Sequence, residues 1–141
     1  MYIDSHCHLE KKYYEDDLPL IIERAQQHKI QHMITVATGE FFAGNDEALS
    51  LAQKYPDLIS LAIGVHPHEA VNAKMEYFEN LPQMVTDPSV VAVGEIGLDY
   101  HYDFSPRDIQ KEVFIKQLQI AKNVNLPVVL HIREAFDDVI E

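Results

Sequence analysis

Short apolar runs rich in β-branched residues alternate along the chain with stretches of helical periodicity. Runs of this length and composition, bounded by turn residues, predict β-strands. The predicted strands are Tyr2–His6, His32–Ala37, Ile59–Val65, Val90–Ile96 and Pro127–Ile132. Several of them are almost continuously apolar, which is typical of strands whose two faces are both covered.

Between the strands, apolar residues recur at the spacing of one helical face. The predicted helices are Leu18–Lys29, Asp46–Tyr55, Ala73–Leu81, which stops near Pro82, and about Pro106–Val124. For the last of them we expect Ser105 as the N-cap and Pro106 at the first helical position. Strand and helix alternating in this way indicate an α/β protein with a parallel sheet.

The length of the chain, 141 residues, normally corresponds to one domain. After the fifth predicted strand, Glu134–Glu141 begins as a helix, and the strand–helix pattern is interrupted there. We therefore expect residues 1–141 to be the N-terminal part of a single larger domain, truncated after its fifth strand.

Charge restricts the classes of function. The chain has 11 basic and 23 acidic side chains and a formal net charge of −12, which argues against a broad basic surface for nucleic acid. A metal-dependent nuclease stays open, because bound cations supply positive charge at the scissile phosphate. One cysteine, no leader pattern and no membrane-length apolar run favour a soluble, cytoplasmic protein.

The first candidate for chemistry is Asp4-Ser5-His6-Cys7-His8, at the end of the first predicted strand. Residues two apart on a strand point to the same side, so His6 and His8 are able to reach one metal ion. The alternative is a pair of surface histidines. Cys7 points away from both by the same alternation, so we do not expect a catalytic thiol.

The second candidate is Gly64-Val65-His66-Pro67-His68, after the third predicted strand. These histidines are candidates for metal ligands, substrate contacts or turn residues. We favour substrate contact or proton transfer for His66 and a structural role for His68.

The third candidate lies at the end of the fourth predicted strand, where Glu95 interrupts an apolar run between Gly94 and Gly97. A buried carboxylate without a partner is costly, so Glu95 should be paired, hydrogen-bonded or metal-bound. The alternative is a glutamate just past the strand that faces water. Asp99 is a weaker candidate, with a supporting role favoured over direct contact.

The fourth candidate is His131, which ends a Val-Val-Leu strand and by itself is either a core residue or a ligand. Candidates at the carboxyl ends of the first, third, fourth and fifth strands would meet at one face, where barrel active sites form. Arg133 is placed there to contact a phosphate or carboxylate, or it is a surface residue.

Four motifs together resemble the TatD family of metal-dependent deoxyribonucleases and related hydrolases. They are Asp4-Ser5-His6-Cys7-His8-Leu9, Ala62-Ile63-Gly64-Val65-His66-Pro67, Gly94-Glu95-Ile96-Gly97-Leu98-Asp99-Tyr100 and Pro127-Val128-Val129-Leu130-His131-Ile132-Arg133. They occur in the order and at the spacings of that family. The resemblance implies a TIM barrel of which this chain is a part, with about five parallel strands and intervening helices.

The resemblance also implies a centre with two divalent ions, for which zinc, manganese and magnesium are the candidates. His6 and His8 would hold the first ion, Glu95 would bridge both, and His131 would hold the second. Family members add a histidine after the sixth strand and an aspartate after the seventh, which this sequence does not reach. The implied reaction is hydrolysis of DNA phosphodiester bonds by a metal-activated water, with His66, Arg133 and Asp99 at the substrate.

Two other functions stay open. One is a metal-dependent amidohydrolase acting on a small molecule, which the acidic charge favours, and the other is a fragment that folds and associates without turnover. A half barrel would expose the edges of its first and fifth strands, and its inner side chains would face water. We therefore expect self-association through these edges or through the open face.

Overall fold

A computed structural model describes residues 1–37 and 41–141 of the chain, the side chains at positions 12, 15 and 41–43 excepted. Five parallel strands lie in sequence order in one sheet. The sheet is curled into half of a barrel, so the predicted partial α/β barrel is confirmed. The strands are β1 (Tyr2–Cys7), β2 (Ile30–Ala37), β3 (Ile59–Ile63), β4 (Val90–Asp99) and β5 (Val128–Arg133).

Helices follow each of the five strands, as expected for parallel neighbours, which need a crossover connection. They are α1 (Lys11–Tyr14), α2 (Leu18–Gln27), α3 (Phe41–Lys54), α4 (Met75–Met84), α5 (Arg107–Val124) and α6 (Phe136–Ile140). Two 3₁₀ segments, Glu15–Asp17 and Pro67–Asn72, were not predicted. Within the described ranges, none of the helices is both long enough and apolar enough to cross a membrane.

Several helix boundaries differ from the sequence-based expectation, and α3 begins at Phe41, five residues before the predicted Asp46. α4 does not stop near Pro82 but continues through it to Met84. Ser105 is not the N-cap of α5, for Pro106 occupies that position without a side-chain cap. The Ser105 hydroxyl instead donates to the carbonyl of His68 (2.9 Å) and accepts from the N–H of Val71 (3.0 Å).

The main core lies between the sheet and its helices. Ile22 of α2, Leu81 of α4 and Val113 of α5 are buried there against strand residues such as Leu61 and Val93. The hydrophobic faces predicted for these helices are the faces that pack on the sheet. The helices therefore fix the strands from one side and leave the other side of the sheet to form the inside of the half barrel.

The inner layer of the half barrel is buried at its centre, where we expected the inner side chains to face water. Val36, Ala62 and Ala92 form a second buried cluster on this side, with Ile34 and Val129 packed against it. Small side chains on a curled sheet are covered by their neighbours, which explains the difference. The two outermost strands do carry exposed apolar side chains, Tyr2 and Ile3 on β1 and Leu130 and Ile132 on β5.

Candidate metal centre

All of the candidate ligands meet at the carboxyl ends of the strands. His6 lies near the end of β1 with His8 just after it, His66 follows β3, Glu95 lies within β4, and His131 lies within β5. In a parallel sheet these ends share one edge, which is the face where barrel active sites form. The structure thus brings together residues that are 125 positions apart in the sequence.

The first group consists of His6, His8 and Glu95, each with one ligand atom within 4.8 Å of the others. His6 Nε2 lies 3.4 Å from Glu95 Oε2. The Nδ1–H of His8 donates to the carbonyl of Val36 (3.2 Å). A histidine held in this way through one nitrogen presents the other nitrogen as a lone-pair donor, as metal-binding histidines do.

Cys7, between the two histidines, takes no part in this group. Its thiol donates to the carbonyl of Ile34 (3.5 Å), and the side chain packs against the main core. Burial raises the pKa of Cys7 to about 12, and the nearby Asp4 adds to the effect. The thiolate needed for nucleophilic chemistry is therefore absent near neutral pH.

The second group consists of His66, His68 and His131, whose ligand atoms also lie within 4.8 Å of one another. His66 Nε2 is 3.1 Å from His131 Nδ1, and the backbone N–H of His68 donates to His66 Nδ1 (3.2 Å). Burial, then the proximity of His131 and His68, lowers the pKa of His66 to about 4. His66 is therefore neutral at neutral pH.

Glu95 lies between the two groups and contacts both. While Oε2 faces His6, Oε1 lies 3.2 Å from His131 Nδ1. Burial favours a higher pKa for Glu95, but the hydrogen bond with His131 and the proximity of the His66 and His6 imidazoles outweigh it and lower the pKa. Glu95 is therefore an anion placed between two clusters of imidazoles.

Asp99 supports the second group from beneath. Its side chain is 0% exposed, and Oδ2 accepts from the Nε2–H groups of His68 (2.8 Å) and His131 (2.9 Å). Burial acts to raise the pKa of Asp99, yet the Tyr102 backbone N–H and these two histidines hold it below its ordinary value. Asp99 is thus buried beneath His68 and His131 and hydrogen-bonded to both.

The donor set fits divalent cations. Histidine nitrogens and one carboxylate are ligands that zinc and manganese accept. Glu95 Oε1 and His66 Nε2 both approach His131 Nδ1, and the hydrogen bonds that His131 donates to Glu95 and Asp99 raise its pKa. These surroundings favour a positive charge at this point, whether from a proton or from a metal ion.

Two buried glutamines of α5 shape the site and were missed at the sequence level. Gln117 Oε1 accepts from the N–H of Val65 (2.6 Å), and its Nε2 donates to the Val65 carbonyl (3.1 Å). Gln110 makes the same pair of bonds with Asp99 (2.8 and 3.0 Å). The sequence does indicate that they are buried, because Gln110 and Gln117 fall on the same helical face as the apolar Val113 and Ala121.

Arg133, the remaining candidate, ends β5 at the mouth of the site. Its guanidinium lies over the ring of Tyr102, 4.6 Å from the ring centroid. Tyr102 follows Asp99 by three residues and in turn approaches His68, with 5.6 Å between ring centroids. Arg133 is thus adjacent to the second group without contacting it directly.

Comparison with known proteins agrees with this geometry. A family model described as TatD related DNase matches residues 3–141. The chain is 41% identical over 140 residues to an uncharacterized metal-dependent hydrolase, YabD, of Bacillus subtilis, covering 99% of the chain and 54% of the relative. It is 38% identical to a 3'-5' ssDNA/RNA exonuclease TatD of Edwardsiella piscicida, covering 94% of the chain and 50% of the relative.

Among solved structures, YjjV, a TatD homolog from Escherichia coli K12, superposes with a TM-score of 0.86 at 35% identity, covering 98% of this chain and 53% of that one. The chain therefore spans about half the length of the relatives that it matches. The family model, the relatives and the cluster of histidines with Glu95 lead to one conclusion. This chain belongs to the TatD family of metal-dependent hydrolases.

Proposed function

We propose that this chain contributes to a two-ion centre that hydrolyses phosphodiester bonds of DNA. The observation that carries the proposal is the position of Glu95, whose two oxygens face His6 (3.4 Å) and His131 (3.2 Å) on opposite sides. A carboxylate so placed suits a ligand shared by two cations. His6, His8 and Glu95 would hold one ion, and Glu95 and His131 the other.

Divalent ions at such a centre lower the pKa of water and polarise a phosphoryl oxygen. The residues of the protein orient the ligands and position the substrate. Asp99 accepts a hydrogen bond from the Nε2–H of His131. This bond fixes the ring so that Nδ1 points at Glu95. His66, neutral and half-buried beside His131, is placed for substrate contact or proton transfer, and Arg133 for charge neutralisation at the phosphate.

The choice of DNA rests on the relatives, because the matched family is described as DNases and a similar protein is named as an exonuclease for ssDNA and RNA. A second candidate is hydrolysis of a small amide or lactone. The net charge of −12 favours this alternative, because an acidic surface repels a polyanion. Cleavage assays with both classes of substrate separate the two.

The experiment begins with metal content per chain, measured by elemental analysis. We expect about one or more divalent ions per chain, lost in Glu95→Ala and His6→Ala. His28→Ala, at an exposed histidine that ends α2, is the matched control and should retain them. No bound metal in the unaltered chain after reconstitution would refute the centre and favour a fragment without turnover.

Cleavage of labelled single-stranded DNA is the second measurement. It should require added divalent ions, stop with a chelator and fall more than about 100-fold in Glu95→Gln. Metal-dependent turnover of amides or lactones, with DNA left intact, would replace this proposal by the small-molecule hydrolase.

We also propose that the chain self-associates. Strands β1 and β5 are the edges of the sheet, and both carry exposed apolar side chains. Unpaired strand edges and uncovered apolar surface both promote association.

A further inference from the structure

Two aromatic side chains are exposed to solvent beside the second histidine group. Tyr102 is 46% exposed and Phe104 is 62% exposed. Their rings are stacked, with centroids 5.2 Å apart and planes inclined by 6°, and the ring of Phe104 lies 4.8 Å from that of His68. With the guanidinium of Arg133 over Tyr102, these three side chains form a surface that we call the aromatic platform.

The turn that carries the platform is held by buried polar groups. Asp99 Oδ1 accepts from the backbone N–H of His101 (3.0 Å) and of Tyr102 (3.0 Å). Gln110 Nε2 donates to the carbonyl of Ser105 (2.8 Å). These hydrogen bonds therefore fix the backbone that carries the two exposed rings. A rigid, exposed aromatic surface next to a reactive centre is suited to binding, because little ordering entropy is lost.

The charges near the platform show what could bind there. Arg107 is paired with Asp103 (2.8 Å), and Lys111 is paired with Asp138 (2.7 Å). No acidic side chain within the described residues forms an ion pair with Arg133, so its charge is available to a ligand. One such cation on a chain of net charge −12 is too little to hold a polynucleotide by its phosphates alone.

We propose that the aromatic platform stacks an unpaired base of a single-stranded nucleic acid and so places the adjoining phosphate at the histidine–carboxylate centre; this rests on the phosphodiesterase function proposed above. Base stacking on aromatic rings does not need a basic surface and tolerates any sequence. A duplex keeps its base faces covered by neighbouring base pairs. The platform therefore selects single strands.

A fluorescence titration tests the stacking directly. The chain contains no tryptophan, so Phe104→Trp introduces a single reporter that preserves an aromatic surface. In a buffer with chelator, which prevents cleavage, a short thymidine oligomer should quench its emission. An abasic oligomer with the same number of phosphates, and a duplex, should leave the emission nearly unchanged.

Affinity measurements on the remaining variants give the matched comparison. Phe104→Ala and Tyr102→Ala should each weaken binding of the thymidine oligomer roughly 5- to 100-fold and leave binding of the abasic oligomer unchanged. Tyr2→Ala removes an exposed aromatic ring at the other end of the sheet and should change neither. Phe104→Trp should bind the thymidine oligomer as the unaltered chain does.

Equal affinity for the thymidine and abasic oligomers, or a preference that persists in Phe104→Ala, would overturn the platform. Absence of binding by either oligomer would overturn it as well. The proposed function is tested separately, since it depends on metal content and on cleavage that Glu95→Gln abolishes. In the unaltered chain, cleavage without base-dependent binding would refute only the platform, and absence of both metal and cleavage would refute the proposed function.

Discussion

At the scale of single residues, Gly97 packs closely against the backbone of His131, one of the candidate ligands. Its φ is +145°, and an added Cβ would overlap the carbonyl oxygen of His131 on the paired strand. We expect Gly97→Ala to lower the free energy of unfolding by roughly 2 to 4 kcal/mol and to reduce metal content, because His131 must move. Chemical denaturation and elemental analysis measure the two effects.

The comparison variant is Gly64→Ala. Its Cβ would meet the Cγ2 of Ile96 at 2.8 Å, and its φ is not positive, so much of the clash falls on a side chain. Gly64→Ala should therefore be the milder of the two substitutions. A larger loss of stability in Gly64→Ala would show that the contact of Gly97 with β5 is not the constraint we infer.

At the scale of elements, α5 holds the backbone of the site through its two glutamines. Gln117→Leu would leave the N–H and carbonyl of Val65 without partners in a buried place. Each such group costs about 1 to 3 kcal/mol, so the free energy of unfolding should fall by about 2 to 4 kcal/mol. Thermal and chemical denaturation check this expectation.

Gln119→Leu is the control, since Gln119 lies on the same helix and is exposed. It should change the free energy of unfolding by less than about 0.5 kcal/mol. Equal effects of the two substitutions would mean that Gln117 contributes nothing beyond ordinary helix packing.

At the scale of the whole molecule, the chain should self-associate at micromolar concentration. Leu130 and Ile132 are 42% and 39% exposed on the edge strand β5, and burying them in a contact between chains would remove apolar area from water. Leu130→Lys should shift the population toward monomer, because a charge on an edge strand opposes pairing. Light scattering gives the mass of the species in solution.

Leu20→Lys, on α2 and 58% exposed, places the same charge away from the strand edges and should leave association unchanged. A monomer in the unaltered chain would contradict self-association altogether. An equal effect of both lysine variants would indicate a general effect of charge and not of the β5 edge.

The sequence by itself determined the order of strands and helices and the residues that gather at the centre. The alternation expected of an extended segment puts His6 and His8 on one side, and β-branched runs predict strands because these side chains fit a pleated backbone. Both depend on positions close together in the chain. Because strand formation depends on such local patterns, all five strands were predicted, although β4 continues to Asp99 and not only to Ile96.

Only the tertiary structure decided how these residues act on one another. Three features depend on contacts between strands distant in sequence: the burial of Asp99 beneath His68 and His131, the position of Glu95 between two groups, and the burial of Val36 and Ala62 on the inner side of the sheet. The pairing of β4 with β5 shifts register between Val93 and Ile96, beside Glu95. Such shifts are set by the joint fit of two strands and a curled sheet, which no local pattern encodes.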